Sequence, residues 1–518
     1  MGKFGVAVVV GLLALLSWEV RAQALPRVTL GDISKRYDDA RTDPTMTDDR
    51  DVYRDAFELA ASKGYEVEKH KVTTEDGYVL GLVRIVGSPQ GAETRPCPGS
   101  QEKPPVLLQH GLIDSSATWV MNMPRQSLGF VLADLGYDVW LGNNRGTTYS
   151  MEHRDLREGF DAWDEEFWDF SWDEMAAFDL PAEIRYILDA TGSETLSYVS
   201  HSQGTTQGFA AFSLPEFADL ARRVNVHIAL APVAFVGNTE SLLFQAAGHL
   251  DVLRVLAANP LIKSFGNTFL GTGVGADFVR SLVPSICGIF LGGCDAEKDR
   301  RDAHNALFDG GLPGDLFGLP DMQHLNQSRI PVYLSHLPEG TSVKNLIHWS
   351  QAVKSSKFRK YDYGRSGNLA RHGSADPPEY DLRGNYRVPT VLVSGSKDPI
   401  ANRRDVRRLL RILSEHPGVL LGSRELPQYD HNDFTLSTNG EVALFPYLTN
   451  KLRGEACSKV VEEEEEEEAE ERGRRGAAMA VQSSGGLGRG WEDLLVVEAS
   501  SSSSSSSSGW GDILAARG

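Results

Sequence analysis

Residues 196–208 read LSYVSHSQGTTQG, and this stretch decides how the chain is built. An apolar run ends at Ser200, a serine follows at position 202 between His201 and Gln203, and glycine stands at position 204. That is the shape of a nucleophile elbow, a sharp strand-to-helix turn that lifts a serine hydroxyl clear of a parallel sheet. The turn imposes unfavourable backbone angles on the serine, and the residues two positions to either side must be small for strand and helix to touch. Gly204 meets that demand outright. Ser200 replaces the glycine of the usual G-x-S-x-G, a small departure that is expected to strain the turn slightly.

A serine hydroxyl is a poor nucleophile at neutral pH and needs a histidine to take its proton, itself oriented by a carboxylate. Behind an elbow, the acid follows a late strand and the histidine follows the acid. Residues 391–398, VLVSGSKD, supply a strand, a loop and the carboxylate of Asp398. Residues 427–434, PQYDHNDF, place His431 in a polar loop after the strand-like run 419–426. Ser202, Asp398 and His431 therefore form an ordered candidate triad. Asp433 is too close to His431 in the chain to reach the far imidazole nitrogen comfortably. An oxyanion hole needs backbone N–H groups aimed at the developing charge. Gln203 supplies one directly after the serine, and Leu112, at the end of the early LQHGL run where Gly111 permits close approach, is expected to supply the other.

Composition narrows the class. A chain of 518 residues with 41% hydrophobic content can bury a large core and still carry an insertion. A net charge of −19 would repel nucleic acid, and no basic cluster rescues that partner. Residues 1–24 combine Lys3, an apolar core at 6–16, and small residues at Ala22 and Ala24, the pattern of a removed secretory signal. The apolar core is too short to span a bilayer, and no other segment reads as transmembrane. Cys287 and Cys294 are close enough in sequence to close a small loop in an oxidising compartment, whereas Cys97 and Cys457 have no obvious partner. Asn326-Gln327-Ser328 is a glycosylation sequon.

Along the chain, residues 53–62 read as an amphipathic helix. Strand-like runs follow at 65–72, 78–85, 106–109, 137–141, 196–200, 224–231 and 390–394. Short apolar strands alternating with helices indicate a mainly parallel sheet with helices on both faces, an α/β fold. Residues 173–190 carry helical periodicity, with Pro181 expected to kink the helix and Thr191-Gly192 to end it. From about 236 to 385 the alternation fails, which suggests a mostly helical cap inserted between core segments 53–235 and 386–454. Residues 455–518 change composition to a glutamate run at 462–468 and serines at 500–508, a tail expected to be disordered. Its GWEDLL and GWGDIL segments read as repeat slippage more readily than as binding motifs. Residues 271–276, GTGVGA, match a loose dinucleotide fingerprint but lack a βαβ unit around them. No cofactor or metal is expected, and His336, His348 and Trp349 read as packing or surface.

The stretches YEVEKHKVTTEDGYVL, PPVLLQHGLIDSSATWV, GYDVWLGNNRGTTYS, FWDFSWDEMAAFDLPAEIRYIL, SHSQGTTQG, GTSVKNLIHWSQ, YDYG, LVSGSKDPIA and YDHNDF run from about Tyr53 to Gly454. In them the chain resembles the acid lipase family of α/β-hydrolases, which includes gastric and lysosomal acid lipases. The resemblance implies Ser202, Asp398 and His431 as triad, and Leu112 and Gln203 as oxyanion donors. It also implies a helical cap holding the cysteine pair 287 and 294, no cofactor, and neutral-lipid esters taken at a lipid–water interface. A secreted, lysosomal or vacuolar enzyme is expected, peripheral to its lipid. Two other readings stay open: an esterase of small soluble esters, and a hydrolase-fold lipid carrier against which the intact triad argues. The tail has no counterpart in the family pattern.

Overall fold

The computed structural model describes residues 49–89, 91, 96, 103–156, 166–241, 244–245 and 324–457. Residues 1–24, Cys97, Cys287, Cys294, residues 271–276 and the chain beyond Cys457 lie outside the described residues.

Strands are β1 (Glu66–Thr73), β2 (Tyr78–Gly87), β3 (Pro105–Gln109), β4 (Asp138–Leu141), β5 (Glu152–His153), β6 (Leu196–His201), β7 (Val224–Leu230), β8 (Thr390–Gly395) and β9 (Leu420–Leu426). They form one sheet in the order β1-β2-β4-β3-β6-β7-β8-β9, with β5 paired to β2. The ladders from β4 through β9 are parallel, and the β1, β2 and β5 pairings are antiparallel. Every residue of β3, β4, β6 and β8 is buried, as expected of short apolar strands covered on both faces. Alternate residues feed two separate core clusters. Val106, Leu108, Val139, Leu141 and Val199 join one, and Leu107, Trp140, Leu196 and Tyr198 join the other.

Helices cover both clusters: Leu448 and Leu452 of Phe445–Ala456 on the first, Ile184, Ile187 and Leu188 of Leu180–Thr191 on the second. The amphipathic helix read at 53–62 is shorter. Asp55 caps it through a reciprocal box with Glu58, so the α-helix spans Ala56–Ala61 and a separate 3-10 turn precedes it. The helix read at 173–190 carries a π turn at Met175–Asp179 that runs directly into Leu180–Thr191, and Pro181, which has no N–H to donate, stands just past that turn. Gly192, at φ 70°, ends it. Within the span read as a cap, Trp349, Ala352 and Val353 of the Val343–Ser355 helix belong to the first core cluster. Cys457, left without a partner by its sequence position, is disulfide-bonded, its partner outside the described residues.

After β3 the chain pairs β4 on one side, then returns to pair β6 on the other. The carboxyl ends of β3 and β6 therefore flank the topological switch point, where open α/β sheets bind ligands.

Candidate active site

The elbow forms as its sequence demands. Ser202 directly follows β6 and precedes the Gln203–Ala211 helix, with φ 51° and ψ −118°. A side chain at Gly204 would stand 2.8 Å from the carbonyl oxygens of both Gln109 and His110, so only glycine lets the helix approach β3 this closely. The loops after β8 and β9 bring the other residues in. His431 Nε2 lies 2.7 Å from Ser202 Oγ, and His431 Nδ1 lies 3.0 and 2.9 Å from the two carboxylate oxygens of Asp398. All three side chains are buried. Asp398 Oδ1 also accepts from the backbone N–H groups of Ile400 and Ala401, each at 2.8 Å, which fixes the carboxylate against the ring. A carboxylate only accepts here, so Nδ1 carries the proton and Nε2 is free to accept one from the serine. His201 Nε2 donates to the His431 carbonyl at 2.8 Å and ties the histidine loop to the elbow.

Ser200 does more than fill the position of a glycine. Its Oγ lies 2.7 Å from His227 Nε2, and His227 Nδ1 lies 2.9 Å from the Tyr386 hydroxyl, which meets Thr390 Oγ1 at 2.7 Å. The chain is buried throughout, and burial holds the His227 imidazole down at about 3, hence neutral. Ser200→Gly, which restores the usual motif, should therefore destabilise the protein by about 1–3 kcal/mol by leaving His227 Nε2 buried without a partner. Urea unfolding at neutral pH measures this, and an unchanged or raised midpoint would show that the bond contributes nothing.

The loop after β3 brings Leu112 beside the elbow. A side chain at Gly111 would stand 3.1 Å from Ser202 Cβ. Among the described residues, the backbone N–H groups of Leu112 and Gln203 have no hydrogen-bond acceptor. His110 braces this loop, its Nδ1 donating to the Gly111 carbonyl at 2.8 Å and its Nε2 accepting from Asn144 N at 3.1 Å. Asn144 Oδ1 in turn accepts from Gln109 and Gln207. Nothing in the spacing of the sequence singles out Asn144; its stretch, GNNRG, reads only as a turn after a strand. Ile113, next along, is left-handed at φ 51°.

Asp114 lies two residues past Leu112, with Oδ1 accepting from Ser115 N at 2.7 Å. Burial pushes its carboxyl up from 3.8 to about 7, against hydrogen bonds from Ser115 and Thr118, and the Glu339 charge adds to the rise. Between those values the folded chain holds a proton that the unfolded chain has released. Its contribution to stability is complete below about pH 3.8 and is lost as the pH rises through about 7. Asp114→Asn should flatten the fall in Tm between acid and mildly alkaline buffer. Equal slopes for mutant and parent would show that another group carries it.

Asn326 is half-buried ahead of the Gln327–Arg329 turn; its Oδ1 accepts from Ser328 Oγ at 2.7 Å and its Nδ2 meets Gln126 Oε1 at 3.2 Å. His348 and Trp349 are buried, with His348 stacked on Trp172 at 3.6 Å, while Trp349 meets the elbow itself. Among the described residues, no cluster of His, Cys, Asp or Glu could hold a metal, and no helix is long and apolar enough to cross a membrane.

A serine on a strand-to-helix turn at the switch point of a mainly parallel sheet, backed by histidine and aspartate, defines the class as α/β-hydrolase. A family model described as a partial alpha/beta-hydrolase lipase region matches residues 57–123, and one described as alpha/beta hydrolase fold matches 104–259. Lipase member K of Homo sapiens is 38% identical over 435 residues, covering 83% of this chain and 96% of that protein. Gastric triacylglycerol lipase of Bos taurus is 41% identical over 374 residues, covering 72% and 84%. Lysosomal acid lipase/cholesteryl ester hydrolase of Homo sapiens is 37% identical over 410 residues, covering 78% and 92%. The chain belongs to the acid lipase family of α/β-hydrolases and is a carboxylic ester hydrolase.

Proposed function

We propose that this enzyme hydrolyses the carboxylic esters of neutral lipids, triacylglycerols or sterol esters, through an acyl-enzyme on Ser202. The observation that carries the reading is the unbroken line Asp398–His431–Ser202, with 2.7 Å between Nε2 and Oγ. His431 takes the Ser202 proton as Oγ bonds the ester carbonyl carbon, and the carbonyl oxygen becomes an oxyanion facing the N–H groups of Leu112 and Gln203. The C–O bond to the alcohol then breaks, and His431 returns the proton to that oxygen as it leaves. Water repeats the sequence on the acyl-enzyme: His431 takes its proton, the acid departs, and Ser202 regains its hydrogen. Asp398 holds the ring and stabilises the imidazolium throughout.

The names of the gastric and lysosomal relatives, which match over 72% and 78% of this chain, support the lipid substrate. Entry into the secretory pathway fits the signal-like start, the Asn326 sequon and the disulfide at Cys457. On this reading residues 236–385 form a cap between the two core segments, and the second of those segments runs at least to Cys457, the C-cap of the Phe445–Ala456 helix. Emulsified triacylglycerol, cholesteryl ester and dissolved short-chain ester, each assayed at acidic and neutral pH, test the reading. Activity on the dissolved ester alone would make the protein a soluble-ester esterase. Failure on all three, with no labelling by a fluorophosphonate, would make it a carrier.

A further inference from the structure

Gln203 is held through its side chain as well as its backbone. Its Oε1 accepts from Asn345 Nδ2 at 2.8 Å and from Trp349 Nε1 at 2.7 Å. An indole N–H only donates, so the amide atom facing it is the oxygen and the orientation of the group is settled by chemistry. Gln203 Nε2 points to Met175 Sδ, 3.5 Å away in the π turn. All four side chains are buried.

The two donors are themselves fixed. Asn345 Oδ1 accepts from Trp172 N at 3.0 Å, and Asn345 Nδ2 also reaches Thr341 Oγ1 at 3.0 Å. The Trp349 ring meets Trp172 edge-on at 5.1 Å, and Ser342, which caps their helix, donates to the Phe170 carbonyl. A buried amide oxygen with both lone pairs filled by immobile donors is confined to one rotamer. Gln203 is the first residue of its helix and follows the nucleophile, so its side-chain setting and the tilt of its peptide N–H share one Cα. A misplacement of about 1 Å at a reacting group can cost on the order of 10²-fold in rate.

Resting on the triad and oxyanion roles proposed above, we infer that Asn345 and Trp349 are positioning residues for acyl transfer: they lock the Gln203 side chain so that its backbone N–H stays aimed at the oxyanion. Residues about 140 positions downstream of the elbow, in the segment read from sequence as cap, thereby govern turnover without touching substrate.

A double-mutant cycle on the full chain tests this. Trp349→Phe keeps a ring in the core and removes the donor; Gln203→Met keeps the backbone N–H and removes the acceptor. With p-nitrophenyl butyrate, Trp349→Phe should lower kcat by roughly tenfold with KM little changed, less than the 10²–10³ that loss of an oxyanion donor costs. Labelling by a fluorophosphonate should slow in step. In the Gln203→Met background the same change should alter kcat by no more than about twofold, because the partner it acts through is gone. Equal losses in both backgrounds, or an unchanged kcat in the parent, would overturn the inference. Should Trp349→Phe fail to fold, Asn345→Ser serves in the same cycle. Ser202→Ala runs alongside: if it keeps turnover, the triad reading itself fails, whereas an inert Ser202→Ala beside a fully active Trp349→Phe sinks only the positioning role.

Discussion

Ser202→Ala should abolish ester hydrolysis, with turnover down on the order of 10⁶, the scale seen when a serine hydrolase loses its nucleophile. The substitution deletes one oxygen whose partner is His431 Nε2 at 2.7 Å. The fold has little reason to change. Alanine keeps the Cβ at a residue already left-handed with serine in place, and the elbow's backbone bonds remain: Ser202 N to the Leu230 carbonyl at 3.1 Å, and Thr205 N to the Ser202 carbonyl at 2.9 Å. Hydrolysis of a dissolved chromogenic ester reads the loss, and a fluorophosphonate should no longer label the chain. Retention of more than a few per cent of the parent rate would mean that another group is the nucleophile.

Asp398→Asn should cost on the order of 10⁴ in kcat, as the loss of the equivalent carboxylate does in serine proteases. Both carboxylate oxygens face His431 Nδ1. An asparagine amide can present N–H there, which turns Nδ1 into the acceptor and puts the proton on Nε2. In that tautomer Nε2 cannot take the serine proton. The rival acid is Asp433, buried close by, whose Oδ2 accepts from Asp430 N at 2.6 Å and stands 3.7 Å from His324. Those contacts make it a brace for the loop, so Asp433→Asn should lower stability far more than turnover. Comparing kcat and Tm for the two variants decides it; a greater kcat loss in Asp433→Asn would transfer the acid role to that residue.

Much of this was legible along the chain because it rests on local rules. A fully buried strand must be a short apolar run, which is why β3, β4, β6 and β8 fall within a residue or two of the runs read for them. The elbow is legible because a sharp turn admits few residue types, and Gly204 meets the backbone carbonyls of Gln109 and His110. The proposed triad is legible through order: an acid loop after one late strand, a histidine loop after the next. The length of the first helix was misjudged for an equally local reason, a capping box at Asp55 and Glu58 that outweighs the apolar pattern before it.

Legible along the chain were the alternation of strands and helices, the turn at Ser202, and the chain order of serine, aspartate and histidine. The first two follow from forces acting within a few residues or from the sterics of one peptide unit, and the third from the order in which this fold presents its strands. Only packing in three dimensions reveals that Ser200 answers His227, that Asn144 braces His110, and that Asn345 and Trp349 fasten Gln203. These are pairings of buried polar groups from distant parts of the chain. Desolvation requires every such group to find a partner, but it leaves the choice to whichever donor the packed core brings within reach.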